Sequence, residues 1–306
     1  MIYTITLNPA IDYEIDLNEI NLGLSNNIDQ QRFIPGGKGI NVSRGLSYLG
    51  INSKAIGFLG GFTGDFMRDK LKMDNFISEF VAIQDITRIN LKIHEEHQHT
   101  EISGKSPRIS SAEIEEFMKT LDNLKDDDIL IISGSQPRVP MNIYQAILER
   151  YAHLNLQIIL DVPGSAYREL LSYRPMLIKP NMDELKDFSQ KKIISEDDII
   201  QACKTMIEKG SRGVILSMGE NGAFYVDHGC IYYAKPIKGN PRRLFGAGDH
   251  LIAGFVFGHL KGLNTKDKLR YGIACASLQI FEQNGYNQTK VEELMKLVEI
   301  EEITYD

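Results

Sequence analysis

The 306-residue chain lacks the marks of several broad protein classes. Its three cysteines, Cys203, Cys230 and Cys275, lie far apart with no CxxC pair. That speaks against a disulfide framework or a zinc site, and a reducing cytoplasm is the expected compartment. No apolar run reaches the roughly 20 residues of a membrane-spanning helix, so no membrane is expected as a partner. Met1-Ile2-Tyr3-Thr4 enters an apolar stretch directly, with no basic segment or small-residue cleavage site, and no signal peptide is expected. An excess of positive charge is missing too. The formal charge is -7, which argues against nucleic acid as a partner. Small anions remain possible ligands, because a few local cations and amides suffice to hold them. GxGxxG after a strand, a Walker A loop and HExxH are all absent.

What the sequence does contain is an alternation of strand-like and helix-like runs. Strands are expected at Tyr3–Leu7, Lys54–Phe58, Asp128–Ile132, Gln157–Asp161, Met176–Ile178 and Gly213–Ser217. Ile129-Leu130-Ile131-Ile132 and Ile158-Ile159-Leu160 are continuously apolar, as strands covered on both faces are. Helices are expected at Gly39–Leu49, Ser111–Leu124, Met141–His153, Glu196–Lys209 and Ala247–Leu260. Such repetition implies an α/β domain with a parallel sheet and right-handed crossovers. Asp12–Leu17 and Arg88–His94 instead alternate polar and apolar residues, which suits a half-exposed sheet. These form a small sheet standing off the main domain as a lid, with strands from about 12–17, 31–35 and 88–103. Glu101-Ile102 adds an edge to this sheet, and the polar segment Glu95–Pro107 otherwise reads as a loop. No repeat or long linker divides residues 1–306, so one domain is expected.

Six stretches could carry chemistry. In Phe245-Gly246-Ala247-Gly248-Asp249 a glycine turn opens a helix. Unpaired amides and the positive helix end would converge there on an anion, and Asp249 could take a proton from an attacking hydroxyl. The plainer reading makes Asp249 an N-cap. Pro35-Gly36-Gly37-Lys38-Gly39-Ile40-Asn41 again enters a helix and suits close contact with a polar ligand, or is a flexible loop with a solvated lysine. In Lys179-Pro180-Asn181-Met182-Asp183-Glu184, Asn181 and Glu184 share one face of a helical turn. They could steer hydrated Mg²⁺, or simply cap a helix. Ser217–Ala223 could wrap nucleotide phosphates or form a tight Asn-Gly hairpin. Asp12 could accept two hydroxyls or be a turn residue, and Arg88 and Asn90, on one strand face, could hold a phosphate or be solvated. His94, His97 and His99 read as solvated loop residues.

Taken in order, these motifs resemble the ribokinase-like (PfkB) carbohydrate kinases, with the nearest likeness to the 1-phosphofructokinase and tagatose-6-phosphate kinase branch. The matching stretches include Thr6–Asp12, Pro35–Arg44, Gly57–Gly64, Thr87–Asn90, Thr100–Ile102, Ser133–Ser135, Lys179–Asn181 with Glu184-Leu185, Ser217–Ala223 and Gly246–Asp249. The resemblance covers essentially the whole chain. It implies a central, mostly parallel sheet flanked by helices, a small β-sheet lid, and lids that pair into dimers. It makes Asp249 the base and Gly246, Ala247 and Gly248 the anion hole. Asp12, Gly37 and Asn41 would bind sugar hydroxyls, and Lys38, Arg88 and Asn90 the substrate's phosphate. Lys179, Asn181, Glu184, Ser217, Gly219 and Gly222 would serve ATP, with Glu184 reaching Mg²⁺ through water.

The implied reaction is ATP-dependent phosphorylation of a ketohexose phosphate, with fructose 1-phosphate first and tagatose 6-phosphate second. The chain departs from the family at His250 (usually Ser or Thr), Asn27 (often Arg), Gln136 (usually Leu), the run Pro241–Phe245 and the segment Ser277–Ile280. Those departures keep open a second class, a nucleotide or sugar-phosphate sensor without turnover.

Overall fold

A computed structural model describes residues 1–95, 98–241, 245–282 and 285–304. His97, and Arg242, Arg243 and Leu244 of the run ahead of Gly246, lie outside the described residues. The strands are β1 Ile2–Thr6, β2 Ala10–Asp16, β3 Gln30–Gly36, β4 Lys54–Gly60, β5 Ile77–Ile83, β6 Arg88–His94 and β7 His99–Ile102. They continue with β8 Ile129–Ser133, β9 Gln157–Asp161, β10 Leu177–Ile178, β11 Gly213–Ser217, β12 Ala223–Asp227, β13 Ile231–Ala234 and β14 Ile300–Glu302. The helices are α1 Lys38–Tyr48, α2 Gly61–Met73, α3 Ser111–Lys119, α4 Ile143–Arg150 and α5 Tyr167–Leu170. After them come α6 Met182–Ser189, α7 Glu196–Glu208, α8 Ala247–Leu260, α9 Thr265–Phe281 and α10 Gln288–Met295.

Ten strands form one sheet in the order β14-β13-β12-β11-β10-β9-β8-β1-β4-β5. From β5 to β11 every pairing is parallel, and β12, β13 and β14 add an antiparallel edge. The apolar runs alternate across this sheet. Leu130, Ile132 and Leu160 face the core beneath α3, α4 and α7, while Ile129, Ile131 and Ile159 face the core beneath α1, α8 and α9. Both faces are buried, so no polar residue interrupts the run. Helix α8 is apolar all round because it lies between α1, α9 and the sheet, with every residue from 249 to 258 buried.

A second sheet has the order β3-β2-β6-β7. Its central pair is parallel, with Asp12 opposite Asn90, Glu14 opposite Lys92 and Asp16 opposite His94. Period-two alternation then separates its faces. The acids and bases just named share one side, and Ile15, Leu17 and Ile93 pack together on the other. β7 occupies part of the segment read as a loop.

The strand order reverses around β1, which lies between β8 and β4. In open α/β sheets the ligand crevice forms at such a point, beyond the carboxyl ends of the strands. The register aligns those ends: Thr6 lies opposite both Gly57 and Ser133, and Ser133 lies opposite Asp161. The sequence motifs therefore leave the sheet on one edge.

Candidate active site

Helix α8 begins at Gly246, which has φ 85° and no side-chain cap. Such a left-handed start suits glycine. The Asp249 and His250 amides both donate to Gly246 O at 3.1 Å, so the amides ahead of them face outward from the helix end. A Cβ at Gly248 would lie 3.0 Å from Lys179 Nζ, which puts that ammonium against the same helix end. Asp249 sits in the first turn and is not the N-cap.

Asp249 is buried, and its Oδ2 accepts a 2.8 Å hydrogen bond from Asn41 Nδ2. Asn41 is held from its other end, where Arg44 Nη1 donates to Asn41 Oδ1 at 2.7 Å. A guanidinium only donates, so the amide must turn its oxygen to Arg44 and its NH₂ to Asp249. Arg44 also donates to Pro35 O at 2.9 Å, tying α1 to the end of β3. Burial, reinforced by the charge of Asp161, pushes the Asp249 carboxyl up to about 7 against the opposing pull of Asn41, Lys38 and Lys179.

Asp161 ends β9 with no exposed surface. Lys38 Nζ lies 2.9 Å and Lys179 Nζ 3.4 Å from its Oδ1. Burial alone would raise its pKa, but the two ammoniums outweigh it and hold the carboxyl below the usual range. Asp161 Oδ2 and Ser133 Oγ are buried with no hydrogen-bond partner among the described residues. Lys38 also meets Glu184 Oε1 at 3.5 Å. The resemblance assigns Lys38, with Arg88 and Asn90, to the substrate's phosphate. In the structure its ammonium is engaged by Asp161 and Glu184, because a fully buried carboxylate needs counter-charges.

The Lys179–Glu184 segment takes the plainer of its two readings and does more besides. Asn181 caps α6, with Glu184 N donating to Asn181 Oδ1 at 2.8 Å and Asn181 N to Glu184 Oε2 at 2.9 Å. That reciprocal box leaves Glu184 Oε1 turned to Lys38. Ser217 N donates to Pro180 O at 3.0 Å, so β11 delivers the Ser217–Ala223 turn beside Asn181. This turn is a short 3-10 segment, Gly219–Asn221, and not a two-residue hairpin. Gly219 (φ 59°) and Gly222 (φ 81°) take left-handed backbone, and a Cβ at Gly219 would meet open space.

On the other side of Asn41, a cavity of about 520 Å³ is lined by residues that include Asp12, Asn41, Arg44, Lys92, Phe245 and Gln279. Asp12 is gripped at both oxygens, by Asn90 Nδ2 at 3.0 Å and by Lys92 Nζ at 2.7 Å. Gly104 N donates to Asn90 Oδ1 at 3.1 Å, so the Asn90 amide holds Asp12 and a loop. Arg88 Nη2 donates to Asn8 O at 3.1 Å. Arg88 Nε and Asn8 Oδ1 are buried with no partner among the described residues, beside Ser106 and Ser135 on Asn8 Nδ2. Gly37, with φ 134°, starts α1 where a Cβ would lie 2.5 Å from Thr6 Cγ2.

Asn41 thus joins Asp249 at the start of α8, while Asp12 lines the same cavity as Asn41. Ion pairs run from Lys179, which lies against that helix end, through Asp161 and Lys38 to Glu184, whose capping partner Asn181 is bridged to Ser217. Lys92 and Asp161 were not singled out in the sequence. The signal for Lys92 was its place two residues beyond Asn90 on an alternating strand, and that for Asp161 was its place at the end of an apolar one. His94 and His99 are not simply solvated. Their Nδ1 atoms lie 3.1 Å apart, and both line the cavity. The family departures are absorbed locally. His250 Nδ1 meets Tyr286 Oη at 2.6 Å inside the core, Gln136 bonds Ile143 N and Asn142 at the start of α4, and Gln279 holds Phe245 O at 3.3 Å. Asn27 is exposed between β2 and β3.

Comparison with known proteins bears on this geometry. The sequence profile described as pfkB family carbohydrate kinase matches residues 5–291. The chain is 34% identical over 301 residues to 1-phosphofructokinase of Bacillus subtilis, covering 98% of this chain and 99% of that protein. It is 35% identical over 302 residues to D-tagatose-1-phosphate kinase of Bacillus licheniformis, covering 98% and 99%. Among solved structures, phosphofructokinase-2 from Escherichia coli in complex with substrates and products superposes with a TM-score of 0.90 at 24% identity, covering 97% of this chain and 98% of that one. At that identity the superposition speaks for the fold alone.

Proposed function

The chain belongs to the pfkB family of carbohydrate kinases, and from that premise we propose that it phosphorylates a ketohexose phosphate with ATP, fructose 1-phosphate giving fructose 1,6-bisphosphate. The observation that carries this reading is the buried Asp249, bonded to Asn41 at 2.8 Å at the uncapped start of α8 beside Lys179. The free primary hydroxyl of the sugar lies against Asp249. Its oxygen attacks the γ-phosphorus, the bond to the β-phosphate oxygen breaks, ADP leaves, and Asp249 takes the hydroxyl proton. Amides at Gly246, Ala247 and Gly248, with Lys179, receive the charge that develops on the phosphoryl oxygens. There is little covalent work for the protein beyond this, so positioning supplies most of the rate.

Asp12, Gly37 and Asn41 hold sugar hydroxyls, with Asn90 fixing Asp12. Arg88 receives the phosphate the substrate already carries, its unpartnered Nε being the donor on offer. Lys38 belongs with the transferring group, close to Asp161 and Glu184. ATP lies along Lys179, Asn181, Ser217, Gly219 and Gly222. Mg²⁺ fits beside it, because Glu184 Oε1 and the orphaned Asp161 Oδ2 are carboxylate oxygens suited to its waters. The ion supplies charge neutralisation on the phosphates. The second sheet acts as a lid that excludes water. Its outer face shows Ile89 (40% exposed) and Ile102 (55% exposed), and pairing of two chains through that face belongs to the same reading.

Tagatose 6-phosphate is the second choice of substrate, supported by a relative named tagatose-6-phosphate kinase, and a relative named D-tagatose-1-phosphate kinase adds tagatose 1-phosphate to the panel. The test is ADP release from ATP and Mg²⁺ over fructose 1-phosphate, fructose 6-phosphate, tagatose 1-phosphate, tagatose 6-phosphate and free fructose. Turnover confined to one or two ketohexose phosphates is expected. Idleness on all of them, with ATP still bound, would turn the reading toward a sensor.

A further inference from the structure

Lys92 reaches the cavity from β6 and is only 7% exposed. Among the described residues it makes one hydrogen bond, at 2.7 Å to Asp12 Oδ2. The Phe245 ring centroid, 4.3 Å from Nζ, attracts the charge but does not replace a hydrogen-bond acceptor. An ammonium carries three donors and a carboxylate about four acceptor sites. Donors on Lys92 and lone pairs on Asp12 therefore remain for a ligand. A buried ion pair is favourable only when such groups are satisfied, so this pair is incomplete without a polar guest. Both groups line the cavity of about 520 Å³, which has room for one. On the side away from the cavity, a Cβ at Gly36 would lie 2.4 Å from Asp12 Oδ2, so the β3 backbone packs directly against the carboxylate.

The Phe245 ring is fixed where it stands. Lys92 lies on one side, the His94 ring meets it edge-on at 6.1 Å, and its carbonyl is held by Gln279. Phe245 is also the residue before Gly246, where α8 begins. A sugar ring resting on that wall would present a hydroxyl to Asp12 and Lys92 in the same cavity that Asn41, the partner of Asp249, also lines.

We infer that Lys92 is a specificity-determining residue, reading one ring hydroxyl of the sugar together with Asp12. Asp12 accepts the hydroxyl proton while Lys92 donates to the same oxygen. A hydroxyl has one donor and two acceptor sites, so the pair grips it from both sides. A site built this way discriminates strongly against an analogue that lacks the hydroxyl. The inference rests on the reading that the cavity takes a ketohexose phosphate.

The test is Lys92→Met, which keeps the long stem and removes the ammonium. A hydrogen bond to a charged group is worth about 1.5–3 kcal/mol, so the sugar-phosphate KM is expected to rise about tenfold to a hundredfold. The ATP KM should stay within about twofold on the same scale. Monodeoxy ketohexose phosphates separate contact from mere support of Asp12. One of them is penalised with wild type and suffers no added loss with Lys92→Met, because the lost groups are partners. A folded variant with an unchanged sugar KM, or with fully additive losses for every deoxy analogue, overturns the inference. Where Lys92→Met does not fold, Lys92→Gln, which retains one donor for Asp12, is read by the same two criteria. Wild type idle on every ketohexose phosphate is a different result. It removes the underlying reading before Lys92 is reached.

Discussion

The Asn41–Asp249 bond makes the reaction's pH dependence adjustable by one substitution. On the proposed reading Asp249 is the base, a role open only to its ionised form, and burial has raised its pKa to about 7. Activity is therefore lost as pH falls through neutrality. Asn41 opposes that rise by donating to Oδ2 at 2.8 Å. A buried hydrogen bond to a charged group is worth about 1.5–3 kcal/mol, and 1.36 kcal/mol corresponds to one pKa unit, so Asn41→Ala should raise the Asp249 pKa by about one unit or more. At pH 7 the ionised fraction falls from about one half to about one tenth, and it recovers by about pH 9. The assay is kcat/KM for the sugar phosphate between pH 5.5 and 9.5 at saturating ATP, which reports the base in the ATP-bound enzyme before the sugar binds. Asn41 also lines the cavity, so on the proposed reading the variant should bind sugar less well. A uniform binding loss scales every point equally and leaves the acid limb in place. An acid limb that stays where it was, or moves to lower pH, refutes the argument.

Asp249→Asn should keep the fold and ATP binding and lose orders of magnitude in turnover, whereas near-normal turnover removes the base assignment. Because the folded pKa lies above the unfolded value of about 3.9, ionising Asp249 destabilises the fold; the penalty is absent below about pH 4 and full above about pH 7. The Asn variant should therefore melt higher than wild type at pH 8, and a lower Tm there contradicts the burial account. Arg88→Ala should raise the sugar-phosphate KM far more than the ATP KM; equal effects on both argue against a phosphate contact at Arg88. Gly222→Ala forces a left-handed residue whose Cβ would lie 2.2 Å from Ala234 O. It should lose about 2 kcal/mol or more in urea unfolding, and an unchanged midpoint means that the turn can rearrange.

How much of this was legible before the fold was seen depends on the range of the interaction. Helix α8 has its expected bounds, Ala247–Leu260, because a glycine turn followed by a continuous apolar run is a local signal. Helices α3 and α4 stop short of their expected ends for equally local reasons. Ser110 and Asn142 fix their starts, and at Thr120 and Tyr151 the chain leaves the helix into hydrogen-bonded turns. Strands β12 and β13 are short and antiparallel, and no periodic run announced them. The pairing of β2 with β6 brings Asp12 and Lys92 together across 80 positions, and nothing near either residue encodes it. Lys38 shows the same limit. Its motif named a ligand-contacting lysine, but the choice of partner fell to Asp161, 123 residues away and buried at the end of β9.

That choice of partner also decides which carboxylate can work as the base. Asp161 and Asp249 are both buried, and burial pushes each toward its neutral form. Lys38 and Lys179 reach Asp161 at 2.9 and 3.4 Å and keep it ionised, while the hydrogen bond to Asp249 comes from the uncharged Asn41 amide. The charge retained on Asp161 then discourages a second one on Asp249. Two acids of the same type are thus driven apart in pKa, one anchoring cations and one titrating near neutrality. Exchanging the lysines for neutral residues would not merely weaken phosphate binding. It would remove what separates the two acids, leaving Asp161 without counter-charge and Asp249 without a defined role.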